Sequence, residues 1–553
     1  MVDAIRASAR VPEKKECITG MRDVKKNMMN KVARLLEGEH VCITSDGWTS
    51  CADDTYMPLT VSFITSVWEL ITVSVECKKS EGTTTAEALA EGMKAAVGRH
   101  GLTGKVTAIP TDCEPSMVKM GRILEQSGVC THIGCCNHRL ESTTSIVFNG
   151  PGVKKVMALA RGLVTRYSTS SQMADRLAQF VKTYLGVENK KVIQDVVTRW
   201  SSTCVMVGRL LELREPIKKR DEADKLEPLL TAADWAVLEM VLPVLEPFIL
   251  AQTLLEGRKY VTGSLVVPFI YDLRESLEAA VENLNTATPS GDPAVTTARA
   301  AVLPCINALY ADFFNRWGDG NNILTYAKGN RRQPRGFKPE QVLATALDPC
   351  TKMLYGVQEH EHADVWRHVE QEAVKIALQT RQQQSSGVAS SQQPAAAARP
   401  GGGASSKKRS SGGFMAAAQS LDRAPAQQRG SNTDDPTTSL IVNSVRLEVK
   451  ASQAALRMPI DGDGGENEGA RVYLDPLDFW RVRSADFPHL ASLARRVLAI
   501  PATQAESERL FSCAGNIVTK TRNRLAPTTV ELLVLLRHSW GIVEKWEASK
   551  NVV

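Results

Sequence analysis

Residues 41–46, Val-Cys-Ile-Thr-Ser-Asp, form a short apolar run that closes on a polar turn, the pattern of a buried strand. Two longer runs rich in apolar and β-branched residues, 56–64 and 67–77, follow on either side of Thr65-Ser66 and predict an antiparallel meander of three strands. At 83–100 the period changes. Ala86, Leu89, Met93 and Val97 recur at three- and four-residue spacing on one helical face, and Gly101 supplies the stop. A fourth strand over 105–110 runs directly into Thr111-Asp112. This order sets Asp46 and Asp112 at the ends of the first and fourth strands, which a mixed sheet can bring side by side.

From about 150 to 375 the pattern is helical almost throughout, with apolar positions three and four apart over stretches such as 235–256 and 261–284, so a separate α-helical unit is predicted. Residues 380–437 are rich in Gln, Ser, Ala, Gly and Pro, too poor in apolar groups to offset their ordering entropy, and read as a disordered loop. As a flexible coil its ends would stand roughly 40 Å apart. Its Lys407-Lys408-Arg409 cluster suits either nuclear import or phosphate contact, or is a solvated charge run. An acidic, Gly-rich break at 461–469 fails the EF-hand pattern because Glu466 stands where that loop needs glycine. Helical periodicity returns at 490–498, 507–514 and 528–536, with Lys520, Arg522 and Arg524 between the last two helices.

Composition narrows the function class only a little. A length of 553 residues with 43% hydrophobic content allows two to four units, and a net charge of +6 suits a polyanion without proving one. The longest apolar runs, 532–536 and 240–245, fall short of the roughly 18–20 residues of a bilayer span, so no membrane partner is expected. The first residues have no secretory apolar stretch, which leaves the twelve cysteines as thiols or metal ligands.

Five separated segments carry a resemblance. They are Thr44-Ser45-Asp46-Gly47-Trp48-Thr49-Ser50; Thr111-Asp112; Cys135-Cys136-Asn137-His138-Arg139-Leu140; Thr198-Arg199-Trp200-Ser201-Ser202; and a long C-terminal block. That block runs from Asp475-Pro476-Leu477-Asp478-Phe479-Trp480 through Phe487-Pro488-His489-Leu490-Ala491 and Ile500-Pro501-Ala502-Thr503 to Ser507-Glu508-Arg509-Leu510-Phe511-Ser512 and Arg522-Asn523-Arg524-Leu525. In this order they resemble the hAT superfamily of transposases, the last block its C-terminal dimerisation region. With Thr262-Gly263-Ser264 and Leu347-Asp348-Pro349, the resemblance covers about residues 12–540, the low-complexity loop excepted. Cys113 and Pro110 depart from the pattern around the second aspartate. Before residue 40 only Cys17 is present, so these residues hold no BED-type zinc finger such as many members carry.

The resemblance implies an α/β RNase H-like catalytic core interrupted by a large all-α insertion, with a C-terminal helical dimerisation region. The expected division is a helical lead-in at 1–40, the first part of the core at 41–150, the insertion at 151–379, the loop at 380–437, a connector at 438–471, and the dimerisation region at 472–545 completing the core. It further implies that Asp46, Asp112 and Glu508 are the catalytic, metal-binding carboxylates, holding Mg²⁺ or Mn²⁺ for two-metal phosphodiester chemistry. Taken singly, Asp46 also reads as a turn residue, Asp112 as a helix cap, and Glu508 as an exposed helix residue with Glu506 as a competitor.

By the same resemblance His138 lies near the scissile phosphate, and Arg199 and Trp200 hold a flipped base, the indole serving as a stacking face. Each has a plain alternative, His138 as a structural histidine and Trp200 as a core residue at a helix start. Cys130, His132, Cys135, Cys136 and His138 are zinc-ligand types but lack the second, separated pair of a structural zinc site. Leu490, Leu493, Leu510, Phe511, Leu532 and Leu535 read as core by default, and the family context assigns them to dimerisation. The partners expected are DNA at transposon ends and a second copy of the chain, in the nucleus. A domesticated relative that dimerises on DNA or chromatin without cutting is the alternative.

Overall fold

The computed structural model describes residues 14–80, 85–196, 199–286, 291–318, 323–324, 335–389, 436–455 and 475–550. The low-complexity loop beyond residue 389, its basic cluster, the acidic break at 461–469 and Thr198 lie outside the described residues.

The described chain is mostly helical around one mixed sheet. Helix α1 (Lys14–Leu35) leads into β1 (Val41–Thr44), the two-residue β2 (Trp48–Thr49), β3 (Thr55–Ile64), β4 (Leu70–Lys79), α2 (Ala86–Arg99), β5 (Val106–Thr111), α3 (Pro115–Gln126) and β6 (Thr131–Gly134). Strands β1 and β3 pair antiparallel, as do β3 and β4, whereas β1, β5 and β6 run parallel in that order. The sequence reading had no place for β2 and β6, each too short to show a period.

Burial on both faces explains why these strands are apolar rather than alternating. Val41, Ile43, Val61 and Ile109 join a core with α1, α2 and α3, while Cys42, Ala108 and Ile133 join a larger core formed by the helices that follow. Between β6 and α3 the packing is closest at Gly121, where a Cβ would lie 2.1 Å from the His132 ring.

The helical unit comprises α4 (Cys136–Asn149), α5 (Pro151–Ser168), α6 (Ser171–Leu185), α7 (Trp200–Glu212), α8 (Arg214–Ala223), α9 (Ala232–Leu255), α10 (Val266–Thr286), α11 (Pro293–Trp317), α12 (Pro339–Leu347) and α13 (Glu359–Ala389). Proline opens α3, α5, α11 and α12 at the one helical position where a missing N–H costs nothing. Helix α9 starts on a capping box of Thr231 and Asp234. By length and composition α9 is apolar enough to cross a membrane, although its apolar residues are spaced rather than continuous. Its Leu238, Val241, Leu245 and Phe248 are buried in the larger core, against α7, α10 and α11.

The last helices, α14 (Pro436–Ala454), α15 (Pro476–Arg483), α16 (Pro488–Leu498), α17 (Ala505–Gly515) and α18 (Pro527–Lys550), return to both cores. Trp480 stacks on Trp68 at 5.5 Å and donates its indole N–H to the Leu347 carbonyl at 2.9 Å. Helix α18 packs on β4 and α1, with the Ser539 hydroxyl tied to the Ser74 backbone. Leu490, Leu493, Leu510, Leu532 and Leu535 are buried within this single chain, and Phe511 is half-buried beside Trp48. These leucines therefore pack the C-terminal region onto its own sheet and helical unit, as the plain core reading of them has it.

Two family-like segments meet at a buried hub. The Ser264 hydroxyl donates to Asp348 Oδ2 at 2.6 Å and the Cys350 amide to Oδ1 at 2.8 Å, and burial pushes the Asp348 carboxyl up to about 6. A Cβ on Gly263 would stand 2.3 Å from the Ile500 carbonyl oxygen, a backbone atom that cannot swing away. Gly263→Ala is expected to lower unfolding free energy by roughly 1–3 kcal/mol, the usual cost of overpacking, in chemical denaturation. Leu535→Ala is expected to lose roughly 2–5 kcal/mol, the range for emptying a buried leucine site. Weaker self-association with unchanged monomer stability in Leu535→Ala would contradict the buried assignment.

Candidate active site

The parallel pairing of β1 with β5 brings the chain segments after Thr44 and Thr111 to the same edge of the sheet, so Asp46 and Asp112 emerge next to each other. Ser45 anchors the first turn by donating to the Pro58 carbonyl at 2.7 Å. Asp46 Oδ1 then accepts the Gly47 amide at 2.7 Å, and Asp112 Oδ1 accepts the Glu114 amide at 3.1 Å. Both aspartates thus make the local turn contacts that a structural reading predicts for them, each through its Oδ1.

The third strand in the row, β6, delivers His138. Cys135 donates its amide to the Thr111 carbonyl at 2.6 Å and precedes α4, whose first turn carries His138 with Nδ1 3.3 Å from Cys135 Sγ. His132 is spoken for by Thr111 Oγ1 at 2.8 Å. All twelve cysteines are free thiols, and among the described residues no three His, Cys, Asp or Glu side chains stand close enough to enclose a metal ion.

Glu508 reaches this edge because the segment before α17 is clamped. The Ala502 carbonyl accepts the Cys136 amide at 3.1 Å, and the Ala502 amide donates to Thr262 Oγ1 at 3.0 Å. Ser507 of α17 lies against Thr44, its hydroxyl 3.4 Å from Thr44 Oγ1. The two glutamates of α17 then separate. Glu506 is buried and committed to Arg509, Arg258 and His538, whereas Glu508 is exposed and acts electrostatically on Asp46, His138 and Glu141.

Electrostatics report the convergence. Burial, then the negative charge of Asp112 and more weakly that of Glu508, push the Asp46 carboxyl up to about 7. Asp112 is also raised, chiefly by burial. Burial pulls the His138 imidazole down, but its hydrogen bond to Cys135 and the nearby Cys135, Glu508 and Asp112 side chains outweigh this and raise it to about 10. Such an imidazole is cationic at neutral pH and faces the acids. Burial likewise raises Glu141, on which the charges of His138 and exposed Arg199 act in the opposite sense.

Arg199 therefore belongs to the neighbourhood of the site, but Trp200 does not offer what was expected of it. It is 5% exposed inside the core of the helical unit, and its indole N–H has no hydrogen-bond partner. A base-stacking surface needs an open ring face, so the expected role of Trp200 is corrected to that of a core side chain at the start of α7. The sequence reading also passed over Gln504. This fully buried side chain donates from Nε2 to Asp46 Oδ2 at 3.2 Å, and no spacing or motif singles it out.

The arrangement defines a class of protein: a mixed sheet bearing clustered acids at one edge, interrupted by a large helical unit and completed by its own C-terminal helices. Residues 465–540 match the hAT family C-terminal dimerisation region, and residues 133–244 match the ZBED1 RNase-like helical domain. These two matched segments, about a third of the chain, are what it shares with the hAT family of transposases and transposase-derived proteins. It is 23% identical over 541 residues to human zinc finger BED domain-containing protein 4, covering 94% of this chain and 39% of that one. Against the putative AC transposase of Zea mays it is 22% identical, covering 89% and 55%, and against the putative transcriptional regulator tpeD of Talaromyces stipitatus 21%, covering 93% and 55%. The chain thus spans from about two-fifths to just over half the length of these relatives.

The raised Asp46 carboxyl has a consequence for stability. In the unfolded chain the group ionises near pH 4, in the folded chain near 7, so stability falls as pH rises between those values and stays lowered above them. Without added metal, Asp46→Asn is expected to melt at a higher temperature than wild type at pH 8, with the gap closing as pH is lowered toward 4. Scanning calorimetry across that range checks this; an Asn variant no more stable at pH 8 would show that the site imposes no such cost.

Proposed function

We propose that this chain carries the catalytic core of a hAT-type DNA transposase: an RNase H-like sheet in which Asp46, Asp112 and Glu508 act on phosphodiester bonds with Mg²⁺ or Mn²⁺. The observation that carries this reading is the parallel pairing of β1 with β5, which brings Asp46 and Asp112 out side by side, with α17 held against Thr44 so that the charge of Glu508 also reaches Asp46. Supporting it, the sheet follows a meander of three antiparallel strands with two further parallel ones, the order expected of that fold.

The donor set suits a hard cation in charge and atom type, being carboxylate oxygens, but among the described residues no three such side chains stand close enough to enclose an ion as they lie. When bound, a pair of such ions activates water and stabilises the leaving oxygen. The protein's own part is to hold Asp46 and Asp112 by their turn amides, to keep Glu508 free while Glu506 is occupied, and to present cationic His138 and Arg199 toward a phosphate backbone. The dimerisation region suggests self-association, which would bring two DNA ends together, and the expected place of action is the nucleus.

A second reading is a relative that dimerises on DNA without cutting it. It draws on the names of two of the similar proteins, a BED zinc-finger protein and a putative transcriptional regulator. The readings separate in an assay of Mn²⁺-dependent strand cleavage on labelled duplex DNA flanking the gene, comparing wild type with Asp46→Ala, Asp112→Ala and Glu508→Ala. The expected result is cleavage by wild type and a loss of at least a thousandfold in each variant, since carboxylates that act as a unit fail together. Absence of cleavage by folded wild-type protein would favour the second reading.

A further inference from the structure

Gln504 stands at the N-terminal boundary of α17, yet its side chain does not cap that helix. Its Nε2 donates to Asp46 Oδ2 at 3.2 Å, while Asp46 Oδ1 is occupied by the Gly47 amide. The carboxylate is thereby held from both oxygens, one by its own turn and one by a residue hundreds of positions away. The other end of the same amide, Oε1, is buried and has no hydrogen-bond donor, and Gln504 is 0% exposed. A buried carbonyl oxygen without a donor is unfavourable, so such an atom points to something that donates to it when the site is in use.

We infer that Gln504 is a positioning residue of the carboxylate site, orienting Asp46 through Nε2 and accepting through Oε1 a hydrogen bond from water carried on a divalent cation. This rests on the metal-dependent reading above and deepens it. The backbone around Gln504 makes the role possible. Ala502 is pinned on both sides by Cys136 and Thr262, and the Gln504 carbonyl accepts the Ser507 amide at 2.9 Å, so the side chain starts from a fixed origin. Outer partners of this kind orient the groups that touch a metal and tune its affinity. A glutamine suits the position because it offers a donor to the carboxylate and an acceptor to bound water on one rigid plane. Leucine keeps the volume and removes both functions; glutamate keeps an acceptor oxygen at the same reach.

The test is Mn²⁺ binding to the full chain, by isothermal calorimetry and by the electron paramagnetic resonance spectrum of the bound ion, in wild type, Asp46→Asn, Gln504→Leu and Gln504→Glu. Wild type is expected to bind and Asp46→Asn to lose binding. Gln504→Leu is expected to bind about 10–100-fold more weakly with an altered spectrum of the residual bound ion, the range typical of lost outer partners. Gln504→Glu is expected to recover most of the affinity. Circular dichroism melting of the metal-free variants separates a folding defect from a binding defect, and Gln504→Glu provides the comparison if the leucine variant does not fold. No binding by wild type would overturn the metal-dependent reading. Wild-type binding that is lost in Asp46→Asn but unchanged in affinity and spectrum in Gln504→Leu would overturn the role of Gln504 and leave the metal-dependent reading intact; if only Gln504→Glu folds, a bound-ion spectrum identical to wild type, despite loss of the Nε2 donor, would do the same.

Discussion

The placement of Glu508 beside the two aspartates depends on two hydrogen bonds to one residue, Ala502. Its carbonyl is held by the Cys136 amide at the end of the sheet, and its amide by the Thr262 hydroxyl at the heart of the helical unit. Three parts of the chain, far apart in sequence, are joined at this point. Loop closure over several hundred residues is entropically tolerable because its cost grows only slowly with length, but it must be secured by contacts that admit one geometry. A backbone hydrogen bond and a buried one to a threonine hydroxyl do this, and Gly263 lets the two backbones approach closely enough for them to form.

The clamp sets how α17 lies, and the placement of α17 sorts its two glutamates. Glu506 turns inward to arginines and a histidine, and Glu508 turns out toward Asp46 and His138. The site is then built against its own electrostatics. Acids are brought together with burial raising Asp46, a cost that the surrounding packing must carry. The large cores supply the rigidity. The sheet is covered on both faces, and the C-terminal helices contribute to both cores, so the acids sit on elements that cannot drift independently.

The same packing gives the leucines of the C-terminal region a role within the chain itself. Periodic apolar residues in a segment known for dimerisation invite assignment to an interface, yet the helices that carry them are needed to finish the chain's own cores. Trp200, by contrast, misleads. An indole at a helix start beside an arginine looks like a platform for a base, but the helical face it shares with Cys204, Val207 and Leu210 turns it inward. In both cases periodicity shows that a residue is buried and is silent on what buries it.

The sequence by itself determined the strand runs that end in Asp46 and Asp112, the change to helical period after residue 150, and the family to which the motifs belong, because these are local patterns of side-chain type. Strands as short as β2 and β6 left too few residues for a period to register. The choice of Glu508 over Glu506 as the residue facing the aspartates was decided by tertiary structure alone, since both lie in the first turn of α17 and only the direction of that helix distinguishes them. Gln504 was likewise invisible until folding set it beside Asp46, because its contact joins positions hundreds of residues apart and one-dimensional spacing carries no record of such a meeting.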